Sequence, residues 1–268
     1  MADTDGSNGG QILPQLAADS DFRVGGLESR EFFSIPWGHI RLLVDKCKGD
    51  RDKALFYVRK TMENGWSRAV LAHQVEANLY ERQGKAATNF SRLLPSSQSD
   101  LAQEITKDPY QFDFLAIRED YDELELKNAL MDNVQRFLLE LGTGFAFLGR
   151  EYRVIVGARE KFIDMLFYHT RLHCYVVLEV KARDFDSSDM GQLGTYVVTV
   201  NHLLKSEVDA PTIGLLVCKG LDKVEAQYAL EASSQPIGIS GYELSKLIPE
   251  EYKGSLPTIE EIESELEG

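Results

Sequence analysis

The sequence predicts an α+β or α/β protein, in which an N-terminal helical module is followed by an αβββαβ core around a mixed central sheet. Three observations predict it. Apolar residues recur at helical spacing through residues 36–84, and a second helical stripe runs from Glu123 to Leu141. Beyond Gly142 the period changes to short runs rich in Val, Ile, Phe and Tyr, with helical stretches between the later ones.

Residues 1–28 are rich in Gly, Asp and Ser and read as a flexible leader. The helical module is assigned to 29–115. Within it Ile40, Leu43 and Val44 share one helix face, and so do Ala54, Tyr57, Val58 and Met62. Gly65 ends the second helix, and Ser67 is placed to cap a third that carries Val70, Leu71 and Val75. Three helices with short turns suit a small bundle, of which a helix-turn-helix is one variety. Trp37 and Trp66 are expected to pack within it. Pro95 to Asp100 reads as a loop, and Asp108-Pro109 as another break.

The core is assigned to 116–248. Its first helix carries Leu126, Leu130, Val134, Phe137, Leu138 and Leu141 on one stripe, and Gly142 and Gly144 stop it. Strands are expected at Phe145 to Leu148, Tyr152 to Val156, Phe162 to Tyr168 and Cys174 to Lys181. A helix over Met190 to Leu204, a strand over Ile213 to Cys218 and a helix over Lys223 to Ala232 complete the order. The remaining stretch, 249–268, is an acidic tail with seven carboxylates and one lysine.

Of the 268 residues, 43% are hydrophobic and 27% charged, which excludes wholesale disorder. Three scattered cysteines, Cys47, Cys174 and Cys218, argue against a disulfide framework and fit reduced thiols in the cytoplasm. No apolar run approaches membrane-spanning length, so no membrane partner is expected. The net charge of −14 disfavours nucleic acid as a whole-surface partner, but Arg30 to Arg92 holds 12 Lys/Arg against 7 Asp/Glu. Such a segment can meet a phosphate backbone locally or be a solvated helix face.

The chemistry concentrates in FIDMLFYHTRLHCYVVLEVK, residues 162–181. Two apolar strands flank the polar corner from His169 to His173. Paired as a hairpin about Arg171 and Leu172, they bring Asp164 opposite Glu179, with Cβ atoms ~4.5–5.5 Å apart. Two such carboxylates among apolar neighbours repel unless a cation joins them. Hard oxygens suit Mg²⁺ or Mn²⁺. Lys181, two residues beyond Glu179, projects from the same face, where an ammonium can position water and offset phosphodiester charge. His169, His173 and Cys174 crowd one corner without the spaced pairs of a zinc site, so a solvent-exposed turn is expected there. Gly142-Thr143-Gly144 follows a helix rather than opening one and is no phosphate-binding loop.

The order helix, strands, Asp164, then Glu179-x-Lys181 resembles the PD-(D/E)XK nuclease superfamily, and within it the bacterial YhcG-like group. FLLELGTGFAFLGR (137–150), PTIGLLVCKG (211–220), PIGISGYEL (236–244), IPWGHI (35–40), RQGKAATNF (82–90) and KDPYQFDFL (107–115) carry the likeness. It implies a restriction-endonuclease-like fold, Asp164 and Glu179 as metal ligands and Lys181 as the catalytic lysine. It further implies Gln192 and Tyr196 near the active site, one turn apart on the following helix. An acid from the helix before the sheet is expected, with Glu125 and Glu140 as candidates. Where relatives tend to have a glutamate, this chain has Lys127.

Two functions remain open at this point. One is a metal-dependent nuclease, endo- or exo-acting, that hydrolyses nucleic-acid phosphodiester bonds, with DNA the expected substrate. The other is a catalytically inactive module that keeps the fold to bind DNA or protein. A homodimer is the commonest oligomer for such a protein.

Overall fold

A computed structural model describes residues 31–244 and the strand 247–248; the expected leader and the acidic tail lie outside them. The chain divides into two units, 1–72 and 73–268. Residues 73–115, grouped with the helical module from sequence, fall in the second unit.

In the first unit, helices span Trp37–Cys47 and Arg51–Asn64, and a third begins at Arg68. The Asp50 side chain accepts from the Lys53 amide at 3.0 Å and caps the second helix. Gly65, at φ +61°, ends it. Ser67 Oγ accepts from the Val70 amide at 3.3 Å, the cap that its position predicted. Leu43, Tyr57, Val58 and Leu71 are fully buried. Trp37 departs from expectation: it is 54% exposed.

The second unit is built on a sheet of order β1-β8-β7-β6-β5-β4, with β2 also on β8. Its strands are β1 (Ala87–Thr88), β2 (Tyr110–Gln111), β4 (Phe145–Val156), β5 (Arg159–His169), β6 (Cys174–Val180), β7 (Ile213–Cys218) and β8 (Ile237–Glu243). β3 (Ile117–Arg118) and β9 (Leu247–Ile248) pair separately. The β4–β5 and β5–β6 pairs are antiparallel and the β6–β7 and β7–β8 pairs parallel, so the sheet is mixed as predicted.

β6 and β7 lie at the centre, which explains their nearly unbroken apolar sequences: Val176 to Leu178 and Leu215 to Cys218 are all buried. Each such side chain contributes about 1.5–3 kcal/mol on burial. One face packs on Leu126, Leu130, Phe137 and Leu141. The other packs on Leu193, Val197 and Val200 of the helix Asp189–Leu203 and on Ala226 and Leu230 of the helix Lys223–Ala232.

Three local readings are corrected. The stripe from Glu123 to Leu141 is two helices, Glu123–Asp132 and Val134–Leu141, broken at Asn133. The segment read as a loop at Pro95 to Asp100 opens the helix Ser96–Glu104, whose buried positions are only Ser99 and Ala102, too few to show as a stripe. The runs at 145–148 and 152–156 are one strand with a register shift between Phe147 and Gly149.

The corner at His169 is likewise not a solvent-exposed turn throughout. His169 and Cys174 are fully buried. His169 Nδ1 accepts from the Leu172 amide at 3.1 Å, so the proton of the neutral ring sits on Nε2. Gly144, at φ +103°, leaves room for that ring, since a Cβ there would stand 2.7 Å from Nε2. Burial pushes the His169 pKa down to about 4, against a partial opposing effect of the Thr143 backbone. The unfolded chain takes up this proton near pH 6.5, and the folded chain only near 4. Stability from the neutral ring is therefore complete above 6.5 and is lost as pH falls towards 4, by about 2–3 kcal/mol. The difference in urea-unfolding free energy between wild type and His169→Asn is expected to shrink across that window, and a constant difference would refute the assignment.

Among the described residues, no helix is long and apolar enough to cross a membrane.

Candidate active site

The β5–β6 hairpin has the register that the sequence predicts. Met165 faces Leu178 and His169 faces Cys174, and one further step of the ladder sets Asp164 opposite Glu179. The Asp164 amide donates to Glu179 Oε1 at 3.5 Å, and the Val180 amide donates to Asp164 Oδ2 at 3.4 Å. Glu179 lies on the central strand with 1% exposure.

On the other side of β5 the ladder is distorted at the same place. Arg150 pairs with Met165 and Tyr152 with Ile163, so Glu151 falls opposite Asp164, and Glu151 takes φ +44°. Ile163 packs on one face of the sheet and Met165 on the other, although they are two residues apart. A strand irregularity of this kind re-aims the side chain that it carries. The left-handed conformation costs a residue with a Cβ roughly 1–2 kcal/mol. Glu151→Gly is therefore expected to raise stability by about 1 kcal/mol, read as a higher urea midpoint at unchanged slope; a lower midpoint would show that Glu151 bears no strain.

The helix Glu123–Asp132 lies over this pair, and its acid is neither of the two expected. Glu125 closes a capping box with Asp122 and pairs with Arg118 at the surface. Glu140, beyond the break at Asn133, is buried against Arg82, with Nη1 to Oε1 at 2.6 Å. The structure brings neither of them to Asp164 and Glu179. The helix acid it brings there, through Lys127 and Lys181, is Glu123. It shares a helix face with Lys127 at i,i+4, whereas Glu125 sits about 200° round the helix from Glu123.

A chain of alternating charges results. Lys127 Nζ lies 2.7 Å from Asp164 Oδ2 and 2.7 Å from Glu123 Oε1. Lys181 Nζ lies 3.1 Å from the same Glu123 oxygen and 3.6 Å from Glu179 Oε2. Gln192 Nε2 is 3.5 Å from Glu179 Oε2 and 3.5 Å from the Tyr196 hydroxyl. The five residues Asp164, Glu179, Lys181, Gln192 and Tyr196 thus meet, joined by Glu123 and Lys127. The i,i+4 acid–base pair was the only sequence signal for Glu123.

Burial and the Asp164 charge push the Glu179 pKa up to about 8. Burial also opposes the charge on Lys181, but Glu179 and Glu123 outweigh it and raise that pKa. Lys127 behaves likewise: burial opposes its charge, and hydrogen bonds to Asp164 and Glu123 raise its pKa. Burial raises the Tyr196 pKa, with the neighbouring carboxylates adding to it.

Two adjacent carboxylates, one held protonated into the neutral range by burial and by its neighbour, fit a hard divalent cation that keeps several of its waters. A complete protein cage is absent: among the described residues, no group of three or more His, Cys, Asp or Glu is arranged to hold a metal.

The sequence matches the YhcG PDDEXK nuclease domain over residues 103–257 and the DUF1016 N-terminal domain over 16–82. It is 31% identical over 227 residues to the Escherichia coli (strain K12) protein described as "Putative nuclease YhcG", covering 83% of this chain and 59% of that protein. A repair endonuclease from Pyrococcus abyssi aligns with 48% of this chain and 50% of its own at 23% identity and a TM-score of 0.33. An EndoMS–dsDNA2 complex aligns with 45% of this chain and 44% of its own, also at 23% identity and 0.33. With its site residues set on the matched domain, the chain belongs to the YhcG-like PD-(D/E)XK family and carries that family's PDDEXK nuclease domain.

Proposed function

We propose that the protein is an endonuclease that hydrolyses phosphodiester bonds of DNA, with Mg²⁺ or Mn²⁺ held by Asp164 and Glu179. The observation that carries this reading is the pairing of a buried carboxylate, Glu179, with Asp164 on the neighbouring strand, with the Lys181 ammonium 3.6 Å from Glu179. Burying several charges at one point is costly even where they pair with one another, and such a convergence is what a functional site requires.

When bound, the cation supplies a Lewis acid and a water of lowered pKa. The chain's own groups do the rest. Lys181 orients the attacking water and offsets charge that builds on the phosphate oxygens. Gln192 and Tyr196 present an amide and a hydroxyl beside Glu179 and hold that carboxylate in place. Glu123 anchors Lys181 from the facing helix. The chain spans 59% of the length of its curated relative, and cytoplasmic location and a homodimer belong to the same proposal.

The test is cleavage of linear, circular, single-stranded and branched DNA with Mg²⁺, Mn²⁺ or EDTA. Metal-dependent cutting of closed circles that is lost in Asp164→Ala and Lys181→Ala supports the endonuclease. The second reading, a binding module, is favoured by one observation: Asp164 is already neutralised by Lys127. DNA binding without cutting, unchanged by both substitutions, would establish it instead.

A further inference from the structure

We infer that Lys127 is a tethered cation occupying the seat that a divalent ion must take, so that it sets the metal affinity of the site. The inference rests on the nuclease reading, because it concerns the same carboxylates.

An ordinary i,i+4 pair on a helix is solvated and leaves the rest of the protein untouched. Lys127 does more. Its ammonium reaches from the helix to β5 and bridges Glu123 and Asp164 at 2.7 Å each, with side-chain exposures of only 18% for Lys127 and 13% for Asp164. These are charge-assisted contacts at full strength. The oxygens that an ion would use are therefore already turned towards a positive charge of the chain itself.

Glu123 is committed in the same way. Its Oε1 receives both Lys127 and Lys181, so the third carboxylate reaches Asp164 and Glu179 only through ammonium groups. This accounts for a site with three acids but no ready-made metal cage among the described residues. Removing the Lys127 charge makes the site one unit more negative, which favours a divalent cation and frees Asp164 Oδ2 together with Glu123. Lys181, in contrast, sits between Glu123 and Glu179 at the longer distances of 3.1 and 3.6 Å, so the ammonium seated on Asp164 is that of Lys127.

The experiment is calorimetric titration of the full chain with Mn²⁺, and separately with Mg²⁺, for wild type, Lys127→Arg, Lys127→Met, Lys127→Gln and Asp164→Asn, with circular dichroism to establish folding. Lys127→Met is expected to tighten the Mn²⁺ Kd by at least about tenfold, which corresponds to 1.4 kcal/mol. Lys127→Gln gives the same result from a polar side chain should the methionine variant fold poorly. Lys127→Arg keeps the charge and is expected to stay within about threefold of wild type, while Asp164→Asn loses the ion. Equal or weaker Mn²⁺ binding in folded Lys127→Met and Lys127→Gln overturns the inference and leaves the nuclease reading standing if cleavage still needs metal. If neither wild type nor the neutral Lys127 variants bind any ion while all are folded, the metal-dependent reading falls and takes the inference with it.

Discussion

Arg82→Met is expected to lower the unfolding free energy by about 3–5 kcal/mol, read from urea titration, without any contact to the proposed reaction. Arg82 and Glu140 are 4% and 2% exposed. The guanidinium gives Nη1 to Glu140 Oε1 at 2.6 Å and Nη2 to Oε2 at 3.5 Å. It also donates to the Ala77 and Pro109 carbonyls at 2.6 and 2.8 Å, so one side chain ties three separate segments together. Without it, Glu140 keeps the Gln111 amide at 2.9 Å and the nearby Lys107 as its support. Lys107 is a weak substitute, since burial pushes its pKa down to about 8 even with Glu140 present to raise it. Adding Glu140→Gln to Arg82→Met removes the stranded carboxylate, and the double variant is expected to recover part of the loss. A double variant no better than the sum of the two singles would show that the pair is not energetically coupled.

Glu179→Gln is expected to move stability and activity in opposite directions. Cleavage falls by about 10³-fold or more, since a neutral amide holds a divalent cation far less tightly than a carboxylate. The metal-free protein, however, becomes more stable. The Glu179 pKa is pushed up to about 8 by burial and by Asp164, whereas in the unfolded chain it is the ordinary 4.5. The folded state therefore keeps a proton that the unfolded state loses between those values. The cost is nil below 4.5, grows as pH rises, and levels off above 8. A neutral glutamine escapes it, so the variant is expected to gain about 2–4 kcal/mol over wild type at pH 8.5 in EDTA and little at pH 4.5. A gain equally large at both pH values would mean that the effect is packing rather than charge.

Much of the site was legible because its geometry is local. A strand period of two, apolar residues on both sides of a short polar corner, and a hairpin register were enough to bring Asp164 to Glu179 and Lys181 to the same face. The strand Ile213–Cys218 and the helix Lys223–Ala232 have the bounds that their composition predicts. What escaped depends on distant partners. Glu123 and Glu125 look alike in sequence, and only the cap at Asp122 and the reach of Lys127 to β5 separate them. Glu140 lies on the apolar stripe's helix and would serve as well, until Arg82 claims it from 58 residues away. The strand Ile237–Glu243 carries three non-branched small residues, Gly238, Ser240 and Gly241, and shows no strand pattern by itself. β1 and β2 are two residues long and acquire meaning only against it.

That last pairing has a consequence for how the chain folds. Asp164 and Glu179 are 15 residues apart, and the hairpin that joins them closes through one tight corner. Ala87 and Thr88 meet Ile239 and Gly238 across about 150 residues, and β2 reaches the same strand across more than 130. Short closures are fast and long ones slow, because the chain must surrender far more freedom before the contact rewards it. On the ribosome, the carboxylate pair can therefore form well before the strand that seals its sheet has been synthesised. For that interval the exposed edge of β7 is the segment at risk of joining another chain, and it is the arrival of β8, with its two early-made partners waiting, that ends the exposure.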